Sequence, residues 1–179
     1  EKGKSILDEA NELALKYKKQ EAIQLVAGMY SDFYRRIGDL DNAHKNTQLS
    51  YNIAENLNQE LISFGAYVRM AESYYYRNQI DSTFHYLDKI TALTDQLGIP
   101  FMVLLSNYYS GRYSYYNGDH KKSIKHFDFI IENIPPDFDL TMRVIPKAFN
   151  ALNHHAIGQS EESDGYIALI QEELKEGST

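Results

Sequence analysis

Residues 111–130 read GRYSYYNGDHKKSIKHFDFI. The stretch opens with a small residue, continues to Gly118 and an aspartate, and then has a second small residue at Ser123. Phe127 and Ile130 follow at a spacing of three, which places both side chains on one face of a helix. The pattern predicts two helices that approach each other closely on either side of a turn at Gly118.

The same pattern recurs at a constant period along the chain. The turn positions are Gly38, Asn78, Gly118 and Gly158, each followed by Asp or Gln. Small residues lie seven positions before them, at Ser31, Ala71, Gly111 and Ala151, and five positions after them, at Ala43, Thr83, Ser123 and Ser163. Mostly apolar pairs follow at nine and twelve positions: Thr47 with Ser50, Leu87 with Ile90, Phe127 with Ile130, and Ile167 with Ile170. The repeating unit is therefore predicted to be a helical hairpin.

This register and the local capping signals predict nine helices. Their expected ranges are about 4–18, 21–37, 40–57, 60–77, 81–97, 100–117, 120–133, 138–157 and 161–175. The predicted N-caps of second helices are Asp39 or Asp41, Asp81, Asp119 and Ser160. Pro100 and Pro136 are placed where first helices begin, and Gly98 is predicted to end the helix before Pro100. The register also extends back to Leu7 and Ala10, so the chain is expected to begin inside the second helix of a truncated repeat, with residues 5–17 helical.

Composition limits the functional classes. The formal charge of −7 argues against nucleic-acid binding and against membrane-surface binding, since both need clustered Lys and Arg. No apolar stretch reaches the roughly 20 residues of a transmembrane helix. The absence of cysteine excludes disulfides, thiolate metal sites and Cys nucleophiles, and it leaves the compartment open.

The repeat resembles the tetratricopeptide (TPR) family, whose motif has a tyrosine, a turn glycine, a small residue, an aromatic residue and a closing proline. Matching positions are Tyr34 and Tyr74, Gly38, Gly118 and Gly158, Ala43, Phe127 and Pro135. Ser114 and His154 depart from the tyrosine position and Asn78 from the turn glycine. The period, about 40 residues, is also longer than the roughly 34 residues usual in the family.

The resemblance implies an all-α fold, a right-handed alpha-alpha superhelix of antiparallel helical hairpins. Residues 1–179 would form a single solenoid domain, with a half repeat at 1–19 and repeats at about 20–59, 60–99, 100–137 and 138–179. It also implies a protein- or peptide-binding scaffold, whose first helices line a concave groove. Tyr34 and Tyr74 would pack inside the repeats.

Transferred position by position, the family pattern places one face of each first helix in this groove. The predicted partner-binding residues are Asp32, Arg35, Arg36, Glu72, Tyr75, Tyr76, Tyr108, Arg112, Tyr115, Tyr116 and His155. Gly28, Val68, Ala148, Leu152 and Ala156 complete the set. Tyr75, Tyr108, Arg112, Tyr115 and Tyr116 are expected to be neighbours in space. The Lys and Asn clamp that chaperone-binding relatives use is replaced here by Gly28, Asp32, Val68 and Glu72, which disfavours binding of chaperone tails.

No catalytic residues, metal ligands or cofactors are predicted, because the phosphate-binding, metalloprotease, EF-hand and nucleophile-elbow motifs are absent. His154 and His155 are adjacent, and neighbouring helical side chains point about 100° apart, so they chelate one metal poorly. The favoured interpretation is a sensory or regulatory segment of a larger bacterial signalling or transcription-regulator protein, cytoplasmic or the periplasmic part of a membrane-anchored sensor. The alternatives are a self-associating module, such as a homodimer, and an enzyme.

Overall fold

The structure, a computed structural model, describes residues 2–176, and every regular element in this range is an α-helix. The helices are α1 (Lys2–Lys16), α2 (Gln20–Arg36), α3 (Leu40–Leu57), α4 (Glu60–Tyr76), α5 (Ile80–Leu97), α6 (Pro100–Tyr116), α7 (His120–Asn133), α8 (Leu140–Ala156) and α9 (Ser160–Glu176). Each end lies close to the predicted one. The predicted all-α fold class is confirmed.

The chain divides into two compact units between Leu93 and Thr94. In the first unit α1 packs on α2, α2 on α3 and α3 on α4; in the second, α6 packs on α7, α7 on α8 and α8 on α9. Short connections join the members of each pair, so neighbouring helices are antiparallel. A single continuous domain over residues 1–179 stays a prediction.

The four predicted turns share one capping geometry. Gly38, Asn78, Gly118 and Gly158 all have positive φ, between 59° and 80°. At the first turn the Gly38 N–H donates to the carbonyl of Arg35, and the Asp39 N–H donates to the carbonyl of Tyr34. The same two bonds recur at the other three turns and form the Schellman motif, which satisfies the last carbonyls of each first helix.

A second set of left-handed residues recurs with the same period, between second and first helices. Lys18, Asn58 and Gly98 have φ of 50°, 49° and 62°. Gly98 was predicted as a helix stop. The other two were missed, because lysine gives no signal for a left-handed conformation and asparagine gives only a weak one.

The small residues of the repeat allow close helix approach, as predicted. All eight small positions, four before the turns and four after them, are buried. At Gly111 an added Cβ would lie 3.0 Å from the Phe127 ring, and the Ser123 hydroxyl donates to the Gly111 carbonyl at 2.9 Å. A larger side chain at Gly111 would therefore force α6 and α7 apart.

The first repeat replaces the apolar pair with buried hydroxyls. Thr47 and Ser50 are fully buried on α3. The Ser31 hydroxyl on α2 forms a hydrogen bond with the Thr47 hydroxyl at 2.5 Å, and the Gln24 amide donates to Ser50 at 3.0 Å. Because buried polar groups are costly unless paired, these bonds are what allow hydroxyls at core positions.

Some residues predicted to start or cap helices were wrong, although the helix ranges are close to the predicted ones. Pro136 does not begin α8, because Asp139 caps that helix by accepting from the Thr141 N–H at 2.9 Å. Asp39 and Asp119 act as N-caps, as predicted. The alternative Asp41, together with Asp81 and Ser160, lies inside the first turn of its helix, where a side chain is past the capping position.

Residues 5–16 are helical and α1 packs on α2, as predicted, whereas Tyr17 lies just beyond the helix end. Apolar side chains of this segment stay exposed, among them Ile6, Leu13 and Leu15. The repeat position Ile167 on α9 is also exposed, unlike its equivalents Leu87 and Phe127.

The same substitution should have opposite effects at two glycines. We expect Gly118→Ala to destabilise the protein by about 1 kcal/mol, because alanine is strained at φ of +79°. Gly165→Ala should stabilise it by about 0.5–1 kcal/mol, because Gly165 lies in the interior of α9 with open space at its Cβ position. Urea denaturation measures both. Equal effects of the two variants would contradict the turn geometry.

Candidate functional site

In the first unit, Arg35 joins the two first helices α2 and α4. Its Nη2 lies 2.9 Å from an Asp32 carboxylate oxygen, and its Nη1 lies 2.7 Å from a Glu72 carboxylate oxygen. Its guanidinium carbon lies 5.4 Å from the centre of the Tyr76 ring, within the range of a cation–π interaction. Four predicted groove residues are therefore in direct contact.

Electrostatics hold this arginine in place. Burial by itself lowers the pKa of Arg35, but the charge of Glu72, with contributions from Asp32 and Tyr76, raises that pKa overall. The side chains of Arg35 and Glu72 are only 24% and 18% exposed. Partial burial reduces solvent screening, so this pair is worth more than an exposed one.

A residue that sequence reasoning missed lies next to this cluster. Arg69 on α4 crosses Gly28 on α2, and a Cβ at Gly28 would lie 2.9 Å from the guanidinium carbon. Glycine inside a helix costs about 1 kcal/mol relative to alanine. A glycine at position 28, inside a helix, therefore indicated a close contact. The sequence did not indicate that Arg69 makes this contact.

A small cavity of about 10 Å³ lies under the cluster. Its lining residues are Ser31, Arg35, Leu40, Ala43, Arg69, Glu72, Ser73 and Tyr76. This volume is near the lower limit for one water molecule. Any larger ligand at this place would bind on the surface above the cluster.

In the second unit, α6 repeats the pairing of an arginine with a tyrosine. The Arg112 guanidinium carbon lies 5.4 Å from the centre of the Tyr116 ring, and its Nε donates to the Tyr116 hydroxyl at 3.3 Å. The same guanidinium also contacts the ring of Tyr113, which is buried. Arg112 is thus held between a core tyrosine and a surface tyrosine.

Two predicted groove tyrosines of α6 instead pack largely against the protein. Tyr108 lies against the core cluster that contains Phe127. Tyr115 makes an edge contact with Phe149 of α8, at 5.4 Å between ring centres. Phe149 itself stacks on Phe127 at 4.6 Å. Phe149 was missed because its repeat position has no constant residue type; the equivalent residues are Met29, Arg69 and Tyr109.

The remaining predicted residues differ in exposure. Arg36 and His155 are exposed near the ends of α2 and α8. Tyr75 is half-buried and makes an edge contact with Tyr76. The proximity of Tyr75 to Tyr108, which belongs to the other unit, stays a prediction. Within residues 2–176, no group of three or more His, Asp or Glu side chains is placed to hold a metal ion.

An apolar cleft that was not predicted lies in the second unit, between the start of α6 and the end of α7. Its volume is about 480 Å³. Its lining residues are Gly98, Pro100, Phe101, Val103, Leu104, Phe129, Asn133, Pro135 and Phe138. None of these side chains titrates, so the cleft offers no acid, base or nucleophile.

One arrangement recurs in both units. Tyr76 and Tyr116 occupy the same register position in successive repeats, and each is 43% exposed. Each has a guanidinium carbon 5.4 Å from its ring centre. Both first helices therefore present a half-exposed tyrosine whose ring is in contact with an arginine.

Solved structures with a similar fold are known. Two crystal structures of a Podosopora anserina protein, assigned as a kinesin light chain with nearly identical TPR-like repeats, match with TM-scores of 0.76 and 0.74. Each match covers 97% of this chain and 86% of the other, at 13% sequence identity. The chain has a TPR-like fold. No protein-family model and no curated protein matches the sequence.

The Arg35–Glu72 ion pair should be measurable by a double-mutant cycle. We expect Arg35→Ala and Glu72→Ala to show a coupling of about 1 kcal/mol in urea denaturation, because both side chains are mostly buried. The matched control is the Arg77–Asp41 pair, whose aspartate is 83% exposed. It should couple more weakly. A stronger coupling in the control pair would contradict this description.

Proposed function

We propose that this protein is a non-catalytic scaffold that binds a protein or peptide through its first helices. The observation that supports the proposal is the half-exposed tyrosine paired with an arginine in each unit, Tyr76 with Arg35 and Tyr116 with Arg112. Tyrosine and arginine are enriched among the residues that dominate binding energy at interfaces.

The supporting contacts reduce the cost of binding. Asp32 and Glu72 hold Arg35, and Tyr113 contacts Arg112, so neither guanidinium has to be ordered by the partner. Immobilising a flexible side chain at an interface costs about 0.5–1.5 kcal/mol. A surface whose long side chains are already positioned avoids much of this cost.

The proposed surface also includes Arg36, Tyr75, Tyr108, Tyr115 and His155. The half-buried tyrosines among them would present ring edges, whereas Arg36 and His155 would make contacts at the rim. The clamp that would bind a chaperone tail is not present at the matching positions. The partner is therefore expected to be recognised mainly by aromatic and arginine contacts.

We extend the proposal to the biological setting through the sequence resemblance. The chain would be the sensory or regulatory segment of a larger bacterial signalling or transcription-regulator protein, in the cytoplasm or as the periplasmic part of an anchored sensor. Its net charge of −7 supports a partner other than nucleic acid. Among the helices of residues 2–176, none has the length and apolar composition needed to cross a bilayer.

Self-association is the second candidate function. It is supported by Ile6 and Leu13, which are seven residues apart and therefore lie on one face of α1, with 59% and 48% of their surface accessible. Contiguous exposed apolar side chains often mark an interface. Light scattering over a range of concentrations would detect the resulting dimer.

Peptide selection tests the favoured function. A peptide library displayed on phage would be selected on the wild-type protein, and the dissociation constant of the best peptide would be measured for each variant. We expect Tyr76→Ala or Tyr116→Ala to weaken binding about 30-fold, which corresponds to the roughly 2 kcal/mol typical of such interface residues. Their melting temperatures should hardly change.

Two controls make the result specific. Tyr17→Ala should leave binding unchanged, because Tyr17 is an exposed tyrosine with Lys16 over its ring but lies away from the proposed surface. Tyr74→Ala should destabilise the fold by about 3 kcal/mol, because Tyr74 stacks on Tyr86 and contacts His44. The proposal fails if Tyr17→Ala weakens peptide binding as much as Tyr116→Ala does.

A further inference from the structure

Three tyrosines of the first unit lie together on one side of the ammonium group of Lys89. Lys89 lies on α5, and its Nζ is 5.4 Å from the ring centre of Tyr51, 5.2 Å from that of Tyr67 and 5.3 Å from that of Tyr86. These rings come from α3, α4 and α5. All three distances fall within the range of a cation–π interaction.

The three rings also contact one another and form an aromatic cluster, called the cage below, with the ammonium on one side of it. Their centres are 5.7–6.3 Å apart, and Tyr51 is nearly perpendicular to Tyr86, at 89°. Tyr74 stacks on Tyr86, at 5.6 Å between ring centres. The cage is therefore held by packing that does not involve the lysine.

A carboxylate lies at the rim of the cage. The Tyr67 hydroxyl donates to Glu55 at 2.9 Å. Burial raises the pKa of Tyr67 to about 12, with further contributions from this hydrogen bond and from the charge of Glu55. The phenol stays neutral at physiological pH, and the carboxylate adds attraction for a cation.

Lys89 is bound to the cage by weak contacts that can be replaced. It donates one hydrogen bond, to the Tyr51 hydroxyl at 3.1 Å. No carboxylate in residues 2–176 lies within ion-pair distance of its Nζ. The flexible four-carbon stem allows the ammonium to leave while α5 stays in place.

We propose that Tyr51, Tyr67 and Tyr86 form a binding site for a methylated ammonium group, and that Lys89 occupies this site when no ligand is bound. A primary ammonium is strongly hydrated and needs hydrogen-bond acceptors, of which the cage supplies one. A trimethylammonium group has no N–H donors, and ring faces satisfy it fully. Such a ligand would displace Lys89. This inference is independent of the proposed function.

The test is an NMR titration of the full chain that follows the tyrosine ring signals. The two ligands are choline, as a free small molecule, and Nα-acetyl-trimethyllysine amide, as a modified protein side chain. We expect Lys89→Ala to bind at least one ligand tenfold more tightly than wild type, because the competing ammonium is gone. The ligand that binds more tightly shows whether the site recognises a free small molecule or a methylated lysine side chain.

Matched variants and a neutral probe make the outcome decisive. In the Lys89→Ala background, Tyr67→Leu should weaken binding at least tenfold, whereas Tyr67→Phe should retain it because the ring remains. Lys45→Ala, at an exposed lysine of α3, should bind like wild type. The uncharged choline isostere 3,3-dimethyl-1-butanol should not bind.

Three results would overturn the proposal. The first is no shift of the tyrosine signals in a folded Lys89→Ala variant with millimolar concentrations of either ligand. The second is equal affinity of wild type and Lys89→Ala. The third is binding of the neutral isostere as tight as that of choline, which would show an apolar pocket rather than a site for a cation.

Discussion

Close approach of paired helices at small residues is the constraint on which the rest of the structure depends. At Gly111 a single added carbon would lie 3.0 Å from Phe127. Gly118, seven positions later, has a left-handed conformation that ends the first helix. The chain then turns back and forms the second helix beside the first. Since both features recur in every full repeat, equivalent side chains of successive repeats occupy equivalent places, and Tyr76 and Tyr116 follow this rule.

The sequence predicted this framework well because its signals are local or periodic. The turn at Asn78 could be predicted from its register even though it is not a glycine, and the Schellman hydrogen bonds confirm it. Boundaries were less predictable where two local signals compete. At the start of α8, proline was a plausible first helical residue, but the capping aspartate Asp139 determined where the helix begins.

The contacts of the candidate site could be predicted only in part. The register placed Arg35, Glu72 and Tyr76 on first helices, but their mutual pairing depends on side-chain distances that periodicity does not contain. The cage around Lys89 was missed for the same reason, since its tyrosines come from three helices at unrelated register positions. Side-chain contacts that do not follow the repeat period can be found only from the three-dimensional structure.

We propose that the first helices, rather than the second, form the binding surface. Photo-crosslinking with a selected peptide that carries benzoylphenylalanine, followed by mass spectrometry of the linked fragments, tests it most directly. We expect attachment to α2, α4, α6 or α8, concentrated near Tyr76 and Tyr116. Attachment mainly to α3, α5, α7 or α9 would contradict it.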